Sequence, residues 1–325
     1  MMARRGRRPR TIVVALGGNA LQPAGGKGDI YEQFAHTRSS LEPLVALARE
    51  GWRIVVVHGN GPQIGDDLRR NEMAMSALPP LPVGVLVAGT EGWIGYMIQQ
   101  SLKNALDRFG VRRDVVTVVT QVVVDPDDPA IHDPVKPIGR GMDEEAARAL
   151  EADGIPVRET PSGWRRLIAS PLPIRIVEHA QIRQLLESGT IVIAAGGGGC
   201  PVYIDPKLGV EGLDAVIDKD RAAQVLGGDV DASTFMILTD VDGVYRNFGK
   251  PDQELIRELT VEEARRLLDS DELGKGSMAP KVEAAVAFVE AGGTVAHIGR
   301  LDAGLDVVEG RAGTTIRAQD GTAGH

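Results

Sequence analysis

The run Ile12-Val-Val-Ala-Leu16, ending abruptly in Gly17-Gly18-Asn19, constrains this chain more than any other stretch. An apolar run with no polar alternation reads as a strand covered on both faces, as parallel sheets require, and paired glycines let backbone N–H groups close on an anion. A strand ending in Gly-Gly is also an ordinary tight turn. Here the pattern recurs: Ile54-Val-Val-Val57 runs into His58-Gly59-Asn60-Gly61-Pro62-Gln63, and Ile191 to Ala195 runs into Gly196 to Gly199. Ligands of open α/β sheets bind beyond the carboxyl ends of the strands, so three such loops at one edge point to an anion or nucleotide cleft.

The remaining periodicity fits an α/β chain. Apolar spacing predicts a helix from Phe34 to Glu50, a βαβ unit closing on the strand at Ile54, a helix from Gln63 to Met75 and another from Glu91 to Phe109. Val115 to Val124 reads as one strand. Between Asp125 and Pro173 eight prolines and many charges interrupt the alternation, which marks an insertion with a helix at Asp143 to Asp153 and a short strand at Trp164 to Ile168. Alternation resumes with a helix near Val177 to Ser188, and the halves divide near Asp214. The second half reads as helix Asp220 to Leu226, strand Thr234 to Leu238, helices Val261 to Ser270 and Pro280 to Ala291, strand Thr294 to Ile298 and a closing helix Leu301 to Glu309.

Charge and rare residues exclude several function classes. A formal charge of -9 argues against a polyanion-binding body, although Arg4, Arg5, Arg7, Arg8 and Arg10 make residues 1–10 a basic tail, expected to be disordered, as is the end, residues 318–325. No secretory apolar region or membrane-length run occurs, so a soluble cytoplasmic protein without nucleic-acid or membrane partners is expected. The single cysteine, Cys200, rules out an intrachain disulfide, and the six histidines show no metal-ligand spacing.

Neither a Gly-x4-Gly-Lys-Ser/Thr loop nor the dinucleotide glycine spacing is present. The second half instead offers Thr239-Asp240-Val-Asp242-Gly-Val-Tyr245 after a strand, and Gly274-Lys-Gly276-Ser277-Met278-Ala-Pro-Lys281 opening a helix, where helix N–H groups and Lys281 favour negative charge. Asp218-Lys219-Asp220 is either an N-cap with a solvated ion pair or, if it faces the cleft, an acid holding lysines around a phosphoryl group.

Taken together, Ala15 to Asn19, His58 to Gln63, Lys136-Pro-Ile-Gly139, Gly196 to Pro201, Val216 to Asp220, Thr239 to Tyr245 and Gly276 to Lys281 resemble the carbamate kinases of the amino acid kinase superfamily, in order from about Thr11 to Ile316. The resemblance implies an open, mainly parallel sheet sandwiched between helices, with two lobes (residues 11–214 and 215–317), a protruding insertion at about residues 125–173 and a homodimer. It implies that Gly17, Gly18, Asn19, Gly59, Asn60 and Gly61 line the carbamate and phosphoryl site. Lys136, Lys219, Asp220 and Lys281 would act on the phosphates, and Asp240, Tyr245, Gly276, Ser277 and Met278 would lie near the nucleotide. The implied reaction joins carbamoyl phosphate and ADP to carbamate and ATP, with Mg²⁺ on the nucleotide phosphates. Related acetylglutamate, aspartate and uridylate kinases resemble one another in carrying a lysine where this chain has Ala15, and Lys136 on the insertion is the family's replacement. Gly139-Arg-Gly-Met142 departs from the more aromatic stretch expected of the arm. A related small-acid kinase and a non-catalytic nucleotide or amino-acid sensor are the alternatives.

Overall fold

A computed structural model gives the fold for residues 10–18, 21–22, 28–161, 163–270, 272–273 and 278–319. Numbered in chain order, eight strands form one sheet in the spatial order β15 (Glu258–Thr260), β17 (Thr314–Arg317), β16 (Val295–Arg300), β12 (Thr234–Thr239), β1 (Thr11–Leu16), β2 (Arg53–His58), β9 (Ile191–Ile193) and β3 (Val115–Thr117). Neighbours run parallel except β16 and β17. The three strands that end in glycine loops, β1, β2 and β9, are therefore adjacent.

The unbroken apolar runs have a direct cause. Along β1, Val13 and Ala15 face a layer built from α7 (His179–Glu187), α8 (Lys219–Asp229), α9 (Val261–Leu268) and α10 (Met278–Glu290). Ile12, Val14 and Leu16 face α2 (Glu42–Arg49), α4 (Val83–Arg108) and α11 (Gly304–Val308) on the other side. Each buried Val, Ile or Leu among them contributes about 1.5–3 kcal/mol, which is why the run carries no polar alternation. Helix α1 (Ile30–Ser40) covers α4, with Phe34 edge-on to Tyr96.

Beside this body lie a sheet of β11 (Gly209–Gly212), β10 (Cys200–Asp205), β4 (Gln121–Val124) and β8 (Pro173–Ile176), and a hairpin of β13 (Val244–Arg246) and β14 (Glu254–Ile256). The insertion forms an arm: α5 (Pro129–His132), then a three-stranded sheet of β5 (Lys136–Met142), β7 (Gly163–Ile168) and β6 (Val157–Thr160) carrying α6 (Glu144–Ala152). The arm rests on α3 (Gly61–Ala74), where Ile64 and Leu68 bury against Ile138 and Ile168. Gly65 makes that approach possible, because a Cβ there would lie 2.0 Å from the Gly139 Cα. Arg140 pairs with Asp66 at 3.0 Å and Arg166 with Glu72, which ties both ends of the contact. A cavity of about 290 Å³, lined partly by Leu68, Ile138, Met142 and Leu150, remains between arm and helix.

Four expectations from the sequence change. The helix expected from Phe34 to Glu50 is two, broken at Leu41, because Pro43 cannot continue an α-helix and instead occupies the first turn of α2. The strand expected from Val115 to Val124 divides between two sheets: after Val118 the chain turns over α4, where the Thr120 N–H donates to Glu91, and joins β10 instead of β9. Helix α4 begins at Val83, eight residues before the expected start, and the closing segment is a 3-10 turn (Leu301–Ala303) followed by the short α11.

Candidate functional site

The carboxyl ends of β1, β2 and β12 meet at one place. The Gly17 N–H donates to the Leu238 carbonyl at 2.9 Å and the Gly59 N–H to the Leu16 carbonyl at 3.1 Å. The missing Cβ of Gly59 would lie 3.3 Å from both the Gly18 nitrogen and Lys219 Cδ, so two glycine loops and the start of α8 converge within van der Waals distance. A cleft of about 880 Å³ opens there, with Gly17, Gly18, Lys219, Asp240, Lys281 and Arg300 among its walls. Pro62, in the first turn of α3, also lines it, which brings the positive end of that helix dipole to the cleft.

The charged groups form an alternating network. Asp220 is almost fully buried, and its carboxylate oxygens contact Lys219 Nζ at 2.5 Å and Lys281 Nζ at 3.3 Å. A carboxylate between two ammonium groups offsets their repulsion and fixes both in place. Asp218 caps α8, accepting from the N–H groups of Asp220 at 2.9 Å and Arg221 at 3.3 Å, while its second oxygen meets Lys136 Nζ at 2.9 Å. Burial opposes the Asp218 charge, but the ammonium groups of Lys136 and Lys219 outweigh it and hold the carboxyl well below the usual range. The arm thus delivers Lys136 to the residue next to Lys219, although Lys136 and Asp218 lie 82 residues apart in the sequence.

Other expected residues fall in different settings. Asn19, Gly276 and Ser277 lie outside the described residues. Asn60 is buried, with its side-chain nitrogen donating to Thr90 Oγ1 at 2.9 Å, so its side chain braces α4. Gly61 opens α3. Asp240 lines the cleft and accepts from the Thr239 hydroxyl at 3.0 Å. Tyr245 stands on the β13–β14 hairpin with its hydroxyl donating to Asp242, and Met278 opens α10 against the core.

Gly196 to Gly199 is not an open cradle but a buried loop, and close packing explains its glycines. A Cβ at Gly197 would lie 2.1 Å from the Asn60 amide, one at Gly198 2.3 Å from the Ile217 carbonyl, and both glycines have positive φ. Beneath this loop Glu91 accepts from the N–H groups of Gly196 at 2.8 Å and Thr120 at 3.1 Å and from the Cys200 thiol at 3.3 Å. Burial nonetheless pushes its carboxyl up to about 8. Burial and the neighbouring Glu91 push the Cys200 thiol up as well, which keeps it un-ionised and unreactive. His58, fully buried with Nδ1 3.0 Å from the Gly59 carbonyl oxygen, is lowered to about 4 by burial.

Sequence reasoning missed Arg165 and Arg300 as cleft walls, Glu91 as a buried acid and Asp218 as a partner of Lys136. Asp218 was visible as a cap. The others carry no local signal, because their places depend on which strands become neighbours.

A family model described as the amino acid kinase family matches residues 10–300. The carbamate kinase of Halobacterium salinarum is 47% identical over 95% of this chain and 98% of its own length, and that of Pyrococcus furiosus is 42% identical over 94% and 99%. The chain belongs to the carbamate kinases of the amino acid kinase family. Carbamate kinase from Giardia lamblia bound to citric acid superposes with a TM-score of 0.90 at 36% identity, covering 95% of this chain and 98% of that one. The same enzyme bound to AMP-PNP gives 0.87 at 36% identity over the same shares. The chain is accordingly a phosphotransferase with the α/β, mainly parallel sheet of its family.

Proposed function

We propose that the cleft moves a phosphoryl group between carbamoyl phosphate and ADP, and that the charge network at its floor is the catalytic apparatus. The observation that carries this is the convergence of Lys136, Lys219 and Lys281 on Asp218 and Asp220 beside Gly17, Gly18 and Gly59. In the ATP-forming direction an oxygen of the ADP β-phosphate forms a bond to phosphorus as the bond to the carbamoyl oxygen breaks, and carbamate leaves with the electron pair. Attacking and leaving oxygens are both anionic, so no proton moves and no general base is needed. Positioning and charge neutralisation do the work. A buried, neutral His58 agrees with this chemistry.

In this reading Gly17, Gly18, Asn19, Gly59, Gly61 and the Asn60 backbone hold the carbamoyl end on the first lobe. The second lobe holds the nucleotide through Asp240, Tyr245, Gly276, Ser277 and Met278, and Lys219 and Lys281 touch the phosphates. Among the described residues no group of three or more metal-ligating side chains gathers. Mg²⁺ would arrive with the nucleotide phosphates, and Asp240, a carboxylate on the cleft wall, would face it. Mg²⁺ supplies neutralisation of phosphate charge. No helix among the described residues is long and apolar enough to cross a membrane. From the likeness to carbamate kinases we infer a cytoplasmic homodimer.

The test is ATP formation from ADP and carbamoyl phosphate, coupled to a reporter enzyme, with acetyl phosphate and acetylglutamyl phosphate as competing donors. ATP from carbamoyl phosphate alone is the expected result. Turnover of another acyl phosphate in its place would assign a different small-acid kinase, and ADP binding without turnover of any donor would assign a sensor.

A further inference from the structure

We propose that Asp218 is a positioning residue: it holds the arm's Lys136 beside Lys219, which lines the phosphoryl cleft, with one oxygen while capping α8 with the other. The inference rests on the proposed role of Lys136 in phosphoryl transfer and assigns what makes that lysine effective.

The division of labour is visible in the two oxygens. Oδ1 accepts from the N–H groups of Asp220 and Arg221, and Oδ2 meets Lys136 Nζ at 2.9 Å. Lys136 Nζ also lies 3.4 Å from the Ile217 carbonyl oxygen. Two of its three donors are therefore directed at the chain entering α8, and a third remains for an anion. A lysine otherwise carries its charge on a long flexible stem with much rotamer freedom to lose. Here the lysine side chain is about three-quarters buried, and the carboxylate is rigid because the helix start fixes it. Since Lys219 is the next residue, any movement of Asp218 would shift two cations together.

Charge counting sets the expected kinetic signature. The network holds three lysines and two aspartates, so removing the Asp218 charge makes the site more positive and does not weaken attraction for an anionic substrate. What is lost is preorganisation, which acts on the transition state. The loss should thus fall on kcat with no rise in the KM for carbamoyl phosphate.

Asp218→Asn separates the two roles, because asparagine caps a helix about as well as aspartate but presents no charge to Lys136. Asp218→Ser, a second capping residue, serves as its check. With wild-type ATP formation from carbamoyl phosphate as the baseline, both variants should melt within a few degrees of wild type. Both should lose on the order of tenfold in kcat and keep the KM for ADP. In a Lys136→Ala background the Asp218→Asn change should cost no further turnover, since the residue it positions is gone. A kcat equal to or above wild type would overturn the inference, as would independent multiplication of the two losses in the double variant. A fall in melting temperature with proportional loss of every kinetic parameter in both variants would make Asp218 a cap and nothing more. If the wild type itself forms no ATP from carbamoyl phosphate, it is the functional reading that fails.

Discussion

At the scale of single residues the site is a set of paired charges, and the two most informative substitutions act in opposite ways. Lys136→Ala should remove roughly 3 kcal/mol of transition-state stabilisation, about a hundredfold in turnover, as loss of one preorganised donor does elsewhere. ADP affinity should hardly change, which titration of ADP against the folded variant would check. Equal losses in ADP binding and turnover would instead mean that Lys136 holds the arm to α8 through Asp218. Cys200→Ser should leave turnover nearly unaltered, because the half-buried thiol donates to the Glu91 carboxyl group and has no base to activate it. A loss of two orders of magnitude with the fold intact would replace phosphoryl transfer by thiol chemistry.

At the scale of elements the arm depends on one close approach of backbone to backbone. Gly65→Ala puts a methyl group where the Gly139 backbone now lies, and neither α3 nor β5 can yield through a side-chain rotation. The expected cost is about 1–3 kcal/mol by the usual penalty for overpacking, or an arm lifted off α3. Stability and turnover measured together tell these apart: a lifted arm lowers kcat with little change in melting temperature. Gly65 also shows where the sequence was legible and where it was not. The apolar runs, the glycine loops and the α8 cap announced themselves locally, as did the insertion, through its prolines. The split of Val115 to Val124 between two sheets did not, because an apolar strand carries no mark of which neighbour it will choose. The burial of Gly196 to Gly199 was hidden for a similar reason: a glycine needed for close packing and one needed for an anion look alike until the neighbouring chain is known.

For the molecule as a whole, three buried groups set how stability follows pH. His58 and His297 are both lowered by burial from 6.5 to about 4. Between those values the unfolded chain takes up protons that the folded chain refuses, so their contribution is complete above 6.5 and lost as the pH falls towards 4, about 3 kcal/mol each. Glu91, raised by burial from 4.5 to about 8, acts in the other sense: the folded chain keeps a proton that the unfolded chain has released, and stability declines as the pH rises across that interval. The three together place maximum stability near about pH 6.5. Urea midpoints taken from pH 4 to 8.5 should show that maximum, and His297→Gln should flatten its acid side. A steady rise to pH 8 would mean that the three donors around Glu91 keep it ionised.

The pairing of β1 with β12, in which Ile12 stands opposite Thr234, has a consequence for how the chain is made. As the polypeptide leaves the ribosome, β1 finds β2 within a few dozen residues, but its other edge stays open until more than two-thirds of the protein has been translated. During that interval an apolar strand, greasy on both faces, offers unpaired N–H and C=O groups to any other nascent chain. The order of synthesis, rather than the stability of the finished enzyme, is then what exposes it to aggregation, and a chaperone that shields the first half until residue 239 emerges would meet its greatest need.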